Sequence, residues 1–178
     1  MIGMKAGYRK FRKDDNGLII MREGVQAEGL MSLIDDIPFT GMTMLEIGCY
    51  SGESTIMFAE SGKMDKIYVV DLWHGNNAIA EDVFDKRMEG YDVVKVKGNI
   101  NTALKHLPPV DFAYIDGSHT YSAVKNDIIK VMTIMKEGGM VSGHDYCDQY
   151  KDRVVMAVNE VLGEPDRVYA DSSWVKYL

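Results

Sequence analysis

Four short apolar runs in this chain carry an acid at or just past their carboxyl ends, and a helical pattern follows each of them. Glu46 lies in Met44-Leu-Glu-Ile, Asp71 closes Lys66-Ile-Tyr-Val-Val, Asp116 closes Val110-Asp-Phe-Ala-Tyr-Ile, and Asp145 stands just beyond Met140-Val-Ser-Gly. Apolar runs that alternate with helices of this length predict a mostly parallel, doubly wound α/β sheet, because parallel neighbours must be joined by crossovers. In such a sheet ligands bind outside the carboxyl ends of the strands, so the connectivity gathers the four acids around one crevice. A single Asp at a helix start is an ordinary N-cap. Four acids at the same edge point to a site.

The remaining pattern fills in the sheet. Residues 1–21 mix Gly, Lys, Arg and Asp without periodicity and read as an N-terminal arm with one short strand at Leu18-Ile19-Ile20; residues 22–178 read as a single domain. Apolar residues at 25, 30, 33, 34 and 37 predict an amphipathic helix that stops before Pro38. Strand 42–47, helix 53–61, strand 66–71, a helix within 78–89 and strand 92–97 follow. Asn101 is expected to cap a short helix ending at Pro108. After strand 110–116, Val124, Ile128, Val131, Met132 and Met135 recur at helical spacing, with the Gly138-Gly139 pair expected to end that helix before a strand at 140–143. Helix 152–162 and two short strands, 166–170 and 173–177, joined by Ala170-Asp-Ser-Ser173 as a hairpin, complete the chain.

At 178 residues there is room for one substantial core and none for a separate substrate domain. A net charge of −7 argues against a nucleic-acid footprint, which needs a basic face, and the cluster from Lys5 to Lys13 reads as a solvated arm. No apolar run approaches the ~18 residues that span a bilayer. Cys49 and Cys147 are the only cysteines and no secretory signal precedes them, so reduced thiols in a cytoplasmic protein are expected, both as packing residues.

The loop after the first strand, Gly48-Cys-Tyr-Ser-Gly52, joins a strand to a helix N-terminus, as in a nucleotide-type crevice, but it is not G-x-G-x-x-G. Glu46 would repel a pyrophosphate and is easier to reconcile with a cationic, phosphate-free ligand such as S-adenosylmethionine. A nicotinamide dehydrogenase is disfavoured on the same ground. Asp71 follows Gly48 at about the 20-residue spacing from which a carboxylate reaches ribose hydroxyls. Asn99, after the third strand, is placed to reach the adenine or its ribose, with a plain loop role as the alternative. Trp73 could stack on adenine or simply pack at the loop–core boundary.

The ordered set Leu45-Glu46-Ile47-Gly48-x-x-x-Gly52, Val70-Asp71-Leu72-Trp73, Ile115-Asp116-Gly117-Ser118-His119-x-Tyr121, Gly138-Gly139 and His144-Asp145-Tyr146 resembles the small class I S-adenosylmethionine-dependent methyltransferases. The branch it is most similar to contains macrocin O-methyltransferase and cephalosporin hydroxylase-like proteins. The resemblance runs from about residue 22 onward. It implies a Rossmann-like, seven-stranded sheet of order 3-2-1-4-5-7-6 with the seventh strand antiparallel, and cofactor contacts at Glu46, Gly48, Tyr50, Ser51, Asp71 and Asn99, beside which Gly52 and Trp73 are further candidates. Two positions depart from the branch, which often has Asp where Ser118 stands and Ser where Ile100 stands. The arm is also too short to be the capping domain of larger relatives, so the substrate does not carry over.

Asp116 and Asp145 could together bind a divalent cation, Mg²⁺ or Mn²⁺, and relatives of this branch use acids at matching positions in that way. Participation of His119 or His144 would favour a transition metal. The alternative is that His119 caps the next helix and His144 is a satisfied buried histidine. The expected reaction is in-line methyl transfer to an oxygen of a small molecule, with alignment as the main contribution of the protein. The acceptor proton would go to His119, or second to His144, beside Asp116, or be released by a cation. A cofactor-binding protein and a hydroxylase-like relative without methyl transfer stay open, as does a homo-oligomer.

Overall fold

The computed structural model describes residues 12–74 and 78–178. Most of the basic cluster from Lys5 to Lys13 lies outside them. The sheet has seven strands, β1 (Met42–Ile47), β2 (Met64–Asp71), β3 (Val93–Lys97), β4 (Val110–Ile115), β5 (Met135–Gly143), β6 (Arg167–Val168) and β7 (Trp174–Tyr177). Their order is β3-β2-β1-β4-β5-β7-β6. The pairs from β3 to β5 are parallel, and β7 runs antiparallel to both β5 and β6. The fold expected from the alternation and the resemblance is the one observed.

Six helices cover the sheet: α1 (Val25–Asp36), α2 (Glu53–Glu60), α3 (Ala78–Arg87), α4 (Ile100–Ala103), α5 (Tyr121–Met132) and α6 (Met156–Leu162). Residues alternate across a strand, so β1 and β4 feed two cores. Met44, Phe112 and Tyr114 face one way, against Leu30, Leu33 and Ile34 of α1, Phe58 of α2 and Phe84 of α3. Leu45, Ile47, Ala113 and Ile115 face the other way, against Ile100, Val124, Ile128, Val131 and Val158. Each fully buried large side chain contributes roughly 1.5–3 kcal/mol relative to exposure. The two helical layers therefore clamp β1 and β4 rigidly, and the site hangs from the carboxyl ends of those two central strands.

Several boundaries depart from the pattern reading. The short helix after β3 is capped by Asn99, not Asn101; its side chain accepts from the Thr102 amide at 3.1 Å. Helix α5 stops at Met132, where Thr133 folds back on the Lys130 carbonyl at 2.7 Å, and β5 already begins at Met135. Gly138 and Gly139 lie inside this strand. Gly138 has φ 72°, and a side chain at Gly139 would sit 2.9 Å from the Asp111 carbonyl, so the glycine pair bulges β5 and shifts its register on β4 between Val110 and Phe112. The helix from residue 152 is a wide turn at Lys151–Val155 running into α6. The strand expected at 18–20 is a single bridge between Lys13 and Ile19. No helix among the described residues is long and apolar enough to cross a membrane.

Candidate active site

A cavity of about 1280 Å³ opens along the carboxyl edge and is lined by the loops after β1, β2, β3, β4 and β5. At its centre the loop after β1 nests against the loop after β4. Gly48 has φ 84°, and an added Cβ would stand 2.4 Å from the Asp116 carbonyl and from Gly117 Cα, so only glycine permits that approach. Tyr50 follows with φ 49°, and Ser51 is buried, its carbonyl accepting from Arg87. Asp71, at the end of β2, receives the Tyr50 amide on one carboxylate oxygen and the Trp73 amide on the other, both at 3.0 Å. Gly48, Tyr50, Ser51, Asp71 and Asn99 all line the cavity.

Three other expected residues do not. Glu46 shares the Met44 face of β1 and is fully buried, accepting hydrogen bonds from Ser54 Oγ and, at 2.6 Å, from Thr55 Oγ1. Burial pushes its carboxyl up to about 7, against the pull of the two hydroxyls. Trp73, expected to stack on adenine, is 2% exposed; its ring packs on Phe84 at 5.2 Å, Lys95 lies over it at 5.3 Å, and its Nε1 donates to the Tyr50 carbonyl at 2.8 Å. Its neighbour Leu72 lines the cavity instead. Gly52, with φ 81°, caps α2, and an added Cβ would meet Phe84 at 2.8 Å in the core.

The other half of the cavity gathers ionisable groups. His119 Nε2 lies 3.0 Å from Asp145 Oδ2 and 3.7 Å from Asp116 Oδ1. His144 Nδ1 lies 3.2 Å from Asp145 Oδ1 and 3.8 Å from Asp116 Oδ1. Hydrogen bonding to Asp116 and Asp145 pushes His119 up to about 10, so in this arrangement it is an imidazolium at neutral pH and cannot serve as the base until it leaves the two acids. Burial works against the charge of His144, but Asp116 and Asp145 outweigh it and raise its pKa. Burial likewise opposes ionisation of Asp145, yet hydrogen bonds from the two histidines hold its carboxyl well below the usual range. Asp145 itself has φ 64°. Asp116, His144 and Asp145 each present one donor atom, all within 4.8 Å of one another, a set that could hold a metal ion.

A fold with a glycine loop that lacks the G-x-G-x-x-G spacing, a strand-end acid after β2 and a carboxylate edge beside it narrows the field, and comparison decides it. A family model described as a methyltransferase domain matches residues 45–146, more than half of the chain. The chain belongs to this family of S-adenosylmethionine-dependent methyltransferases. An uncharacterised protein of Acanthamoeba polyphaga mimivirus is 25% identical over 133 residues, covering 69% of this chain and 60% of that protein, so the chain spans less than two thirds of this relative's length. Among solved structures, precorrin 8w decarboxylase of Methanobacterium thermoautotrophicum matches with a TM-score of 0.64 and 17% identity over 85% of this chain and 77% of that one. A calicheamicin methyltransferase matches with a TM-score of 0.62 and 16% identity over 88% and 80%. At these identities the likeness is one of fold.

Residues at and beside the cavity also include some that carry no motif in the sequence. Arg22, with a side chain 5% exposed, donates to Asp116 Oδ2 at 2.7 Å and to the Tyr114 hydroxyl at 3.0 Å, and lies 3.6 Å from Asp171. Asp171 is buried in the hairpin turn, where Ser173 donates both its amide and its hydroxyl to it. Gln26 Oε1 stands 3.1 Å from His144 Nε2. The amides of Met21 and Arg22 both donate to Glu53 at 2.7 Å, which ties the arm to the first turn of α2. The sequence signal available for Glu46 was parity: it is two residues from Met44 and so shares its face.

Proposed function

We propose that this chain transfers a methyl group from S-adenosylmethionine to a hydroxyl oxygen of a small molecule, with a divalent cation at Asp116 and Asp145 beside the acceptor. The observation that carries the reading is continuity: one cavity joins Asp71 and Asn99 to Asp116, His119, His144 and Asp145. Asp71 would take the two ribose hydroxyls on oxygens already oriented by backbone amides. Asn99 and Ile100 would border the base with Leu72, while Gly48, Tyr50 and Ser51 let backbone approach the rest of the cofactor. When bound, the cofactor supplies an intrinsically reactive methyl on a sulfonium, and a cation supplies a lower pKa to a hydroxyl beside it. What the chain adds is alignment of the acceptor with the methyl and exclusion of water. Asp116 and Asp145 would hold the cation beside the acceptor oxygen. His119, once it has turned from these acids and released its own proton to solvent, would take the proton of the acceptor hydroxyl.

The donor set fits this role, since two carboxylates and an imidazole converge with room on the cavity side. The test is calorimetry with S-adenosylhomocysteine, followed by mass spectrometry of a hydroxylated-substrate panel with and without chelator. Micromolar binding of about 8 kcal/mol is expected, with methylated products that vanish on chelation and return with Mg²⁺ or Mn²⁺. Absence of S-adenosylhomocysteine binding would sink the cofactor reading; methylation indifferent to chelator would sink the cation.

A further inference from the structure

We propose that His144 is the third ligand of the cation site, held in its ligating orientation by Gln26, and that the site therefore selects a first-row transition-metal ion over Mg²⁺. This rests on the cation reading above and sharpens it. Donor atoms in neighbouring positions around an octahedral ion stand about 3 Å apart, given metal–ligand distances near 2.1 Å. His144 Nδ1 is already 3.2 Å from Asp145 Oδ1 and 3.8 Å from Asp116 Oδ1, within an ångström of the spacing at which it would share an ion with either carboxylate, and all three donors lie within 4.8 Å of one another.

The far sides of the same groups are occupied in a way that leaves those donor atoms for a ligand. His144 Nε2 faces Gln26 Oε1 at 3.1 Å and Asp171 Oδ2 at 3.7 Å, two oxygen acceptors that place the ring hydrogen on Nε2. With that hydrogen kept on Nε2, the proton that Nδ1 shares with Asp145 is the one an entering cation would displace, and Nδ1 is the atom that faces Asp116 and Asp145. Asp116 Oδ2 is taken by Arg22 at 2.7 Å, which leaves Oδ1 toward the histidine. Outer contacts of this type commonly set ligand orientation and shift metal affinity by 10–100-fold. Gln26 is thus a positioning residue, and it comes from the first turn of α1, on the opposite side of the imidazole from the carboxylates.

The donor set decides the ion. Mg²⁺ takes oxygen and keeps its waters, whereas imidazole suits first-row transition ions. One nitrogen and two carboxylate oxygens, with open positions on the cavity side, fit Mn²⁺ to Co²⁺ better than Mg²⁺.

The experiment uses the full chain, with Co²⁺ binding followed by its visible absorption, Mg²⁺ as competitor, and S-adenosylhomocysteine binding as the control that each variant is folded. Wild type is expected to prefer Co²⁺ over Mg²⁺ by roughly 100-fold or more. His144→Glu, which offers oxygen in place of nitrogen, should cut that ratio at least tenfold and shift the Co²⁺ bands. Gln26→Leu should weaken Co²⁺ about 10–100-fold, and Gln26→Glu, which keeps an acceptor for the Nε2 hydrogen, should restore it. A Co²⁺-to-Mg²⁺ ratio unchanged in His144→Glu would overturn the nitrogen ligand while leaving the Asp116–Asp145 cation intact. Full Co²⁺ affinity in Gln26→Leu would overturn the positioning role. Wild type that binds S-adenosylhomocysteine but neither ion would overturn this proposal and the cation reading together.

Discussion

The two halves of the sheet's carboxyl edge keep their carboxylates in different ways. On the β1–β2 side, Glu46 is held by hydroxyls eight and nine residues away, and Asp71 by amides two and 21 residues away. On the β4–β5 side, Asp116 and Asp145 are held by charged or chargeable side chains, and Asp116 reaches Arg22 across 94 residues. The first half is held by backbone amides and local hydroxyls. The second half is a balance of charges that any entering cation must rearrange. Neutral, local support makes a rigid subsite; mutual ionic support makes one that responds to what binds.

The largest effect that would break this contrast is expected at Arg22. Arg22→Leu leaves Asp116 and the buried Asp171 without their shared cation, and should cost about 3–5 kcal/mol in urea unfolding, as removal of one partner from a buried pair does. A loss under 1 kcal/mol would mean that the β4–β5 half does not depend on ionic support. Next is Glu46, whose carboxyl is raised by burial to about 7. The folded state binds this proton more tightly than the unfolded state, so the contribution is complete below about pH 4.5 and is lost as pH rises through 7, on the order of 3 kcal/mol. Glu46→Gln should flatten that part of the stability profile between pH 5 and 8, and an unchanged slope would refute the assignment.

Asp71→Ala should weaken S-adenosylhomocysteine by roughly 1.5–3 kcal/mol in calorimetry, through loss of charge-assisted bonds and of the anchor for two amides. Wild-type affinity would remove Asp71 from the cofactor subsite. Gly52→Ala should cost about 1–2 kcal/mol of stability from the left-handed backbone alone, with cofactor affinity of the folded protein retained. Smallest is Trp73→Phe, which removes one hydrogen bond to the Tyr50 carbonyl. About 1 kcal/mol of stability is expected to go, with no stacking contribution lost from the cofactor. A large drop in cofactor affinity there would return Trp73 to the adenine.

The same contrast explains what could be read from the chain alone. Strand ends and the acids on them follow from alternation, and the sheet order followed from a motif set that the fold bears out. Side-chain direction was harder. Trp73 turns inward because its own φ is 40°, a local backbone choice that no spacing announces. Gly52 looked like a ligand glycine because its role, packing under Phe84 and Met88, lies in a helix remote in sequence. Arg22, Gln26 and Asp171 were invisible for a related reason. One sits at what reads as a domain border, one on a helix with an ordinary amphipathic face, and one in what reads as a hairpin turn. Only the packing of α1 against the β6–β7 hairpin makes them neighbours.

That packing depends on Gly29. A single methyl group at this helical position would stand 2.3 Å from Asp171 Oδ1, inside the buried turn. The position touches neither the crevice nor its ligands, yet it controls whether the first helix can seat and deliver Arg22 and Gln26 to the far acids. Most of the chain separates that helix from that turn, so their contact closes a long loop at an entropic cost that the packing must offset. The constraint on residue 29 is therefore one of access, exerted on the candidate site from a place outside it.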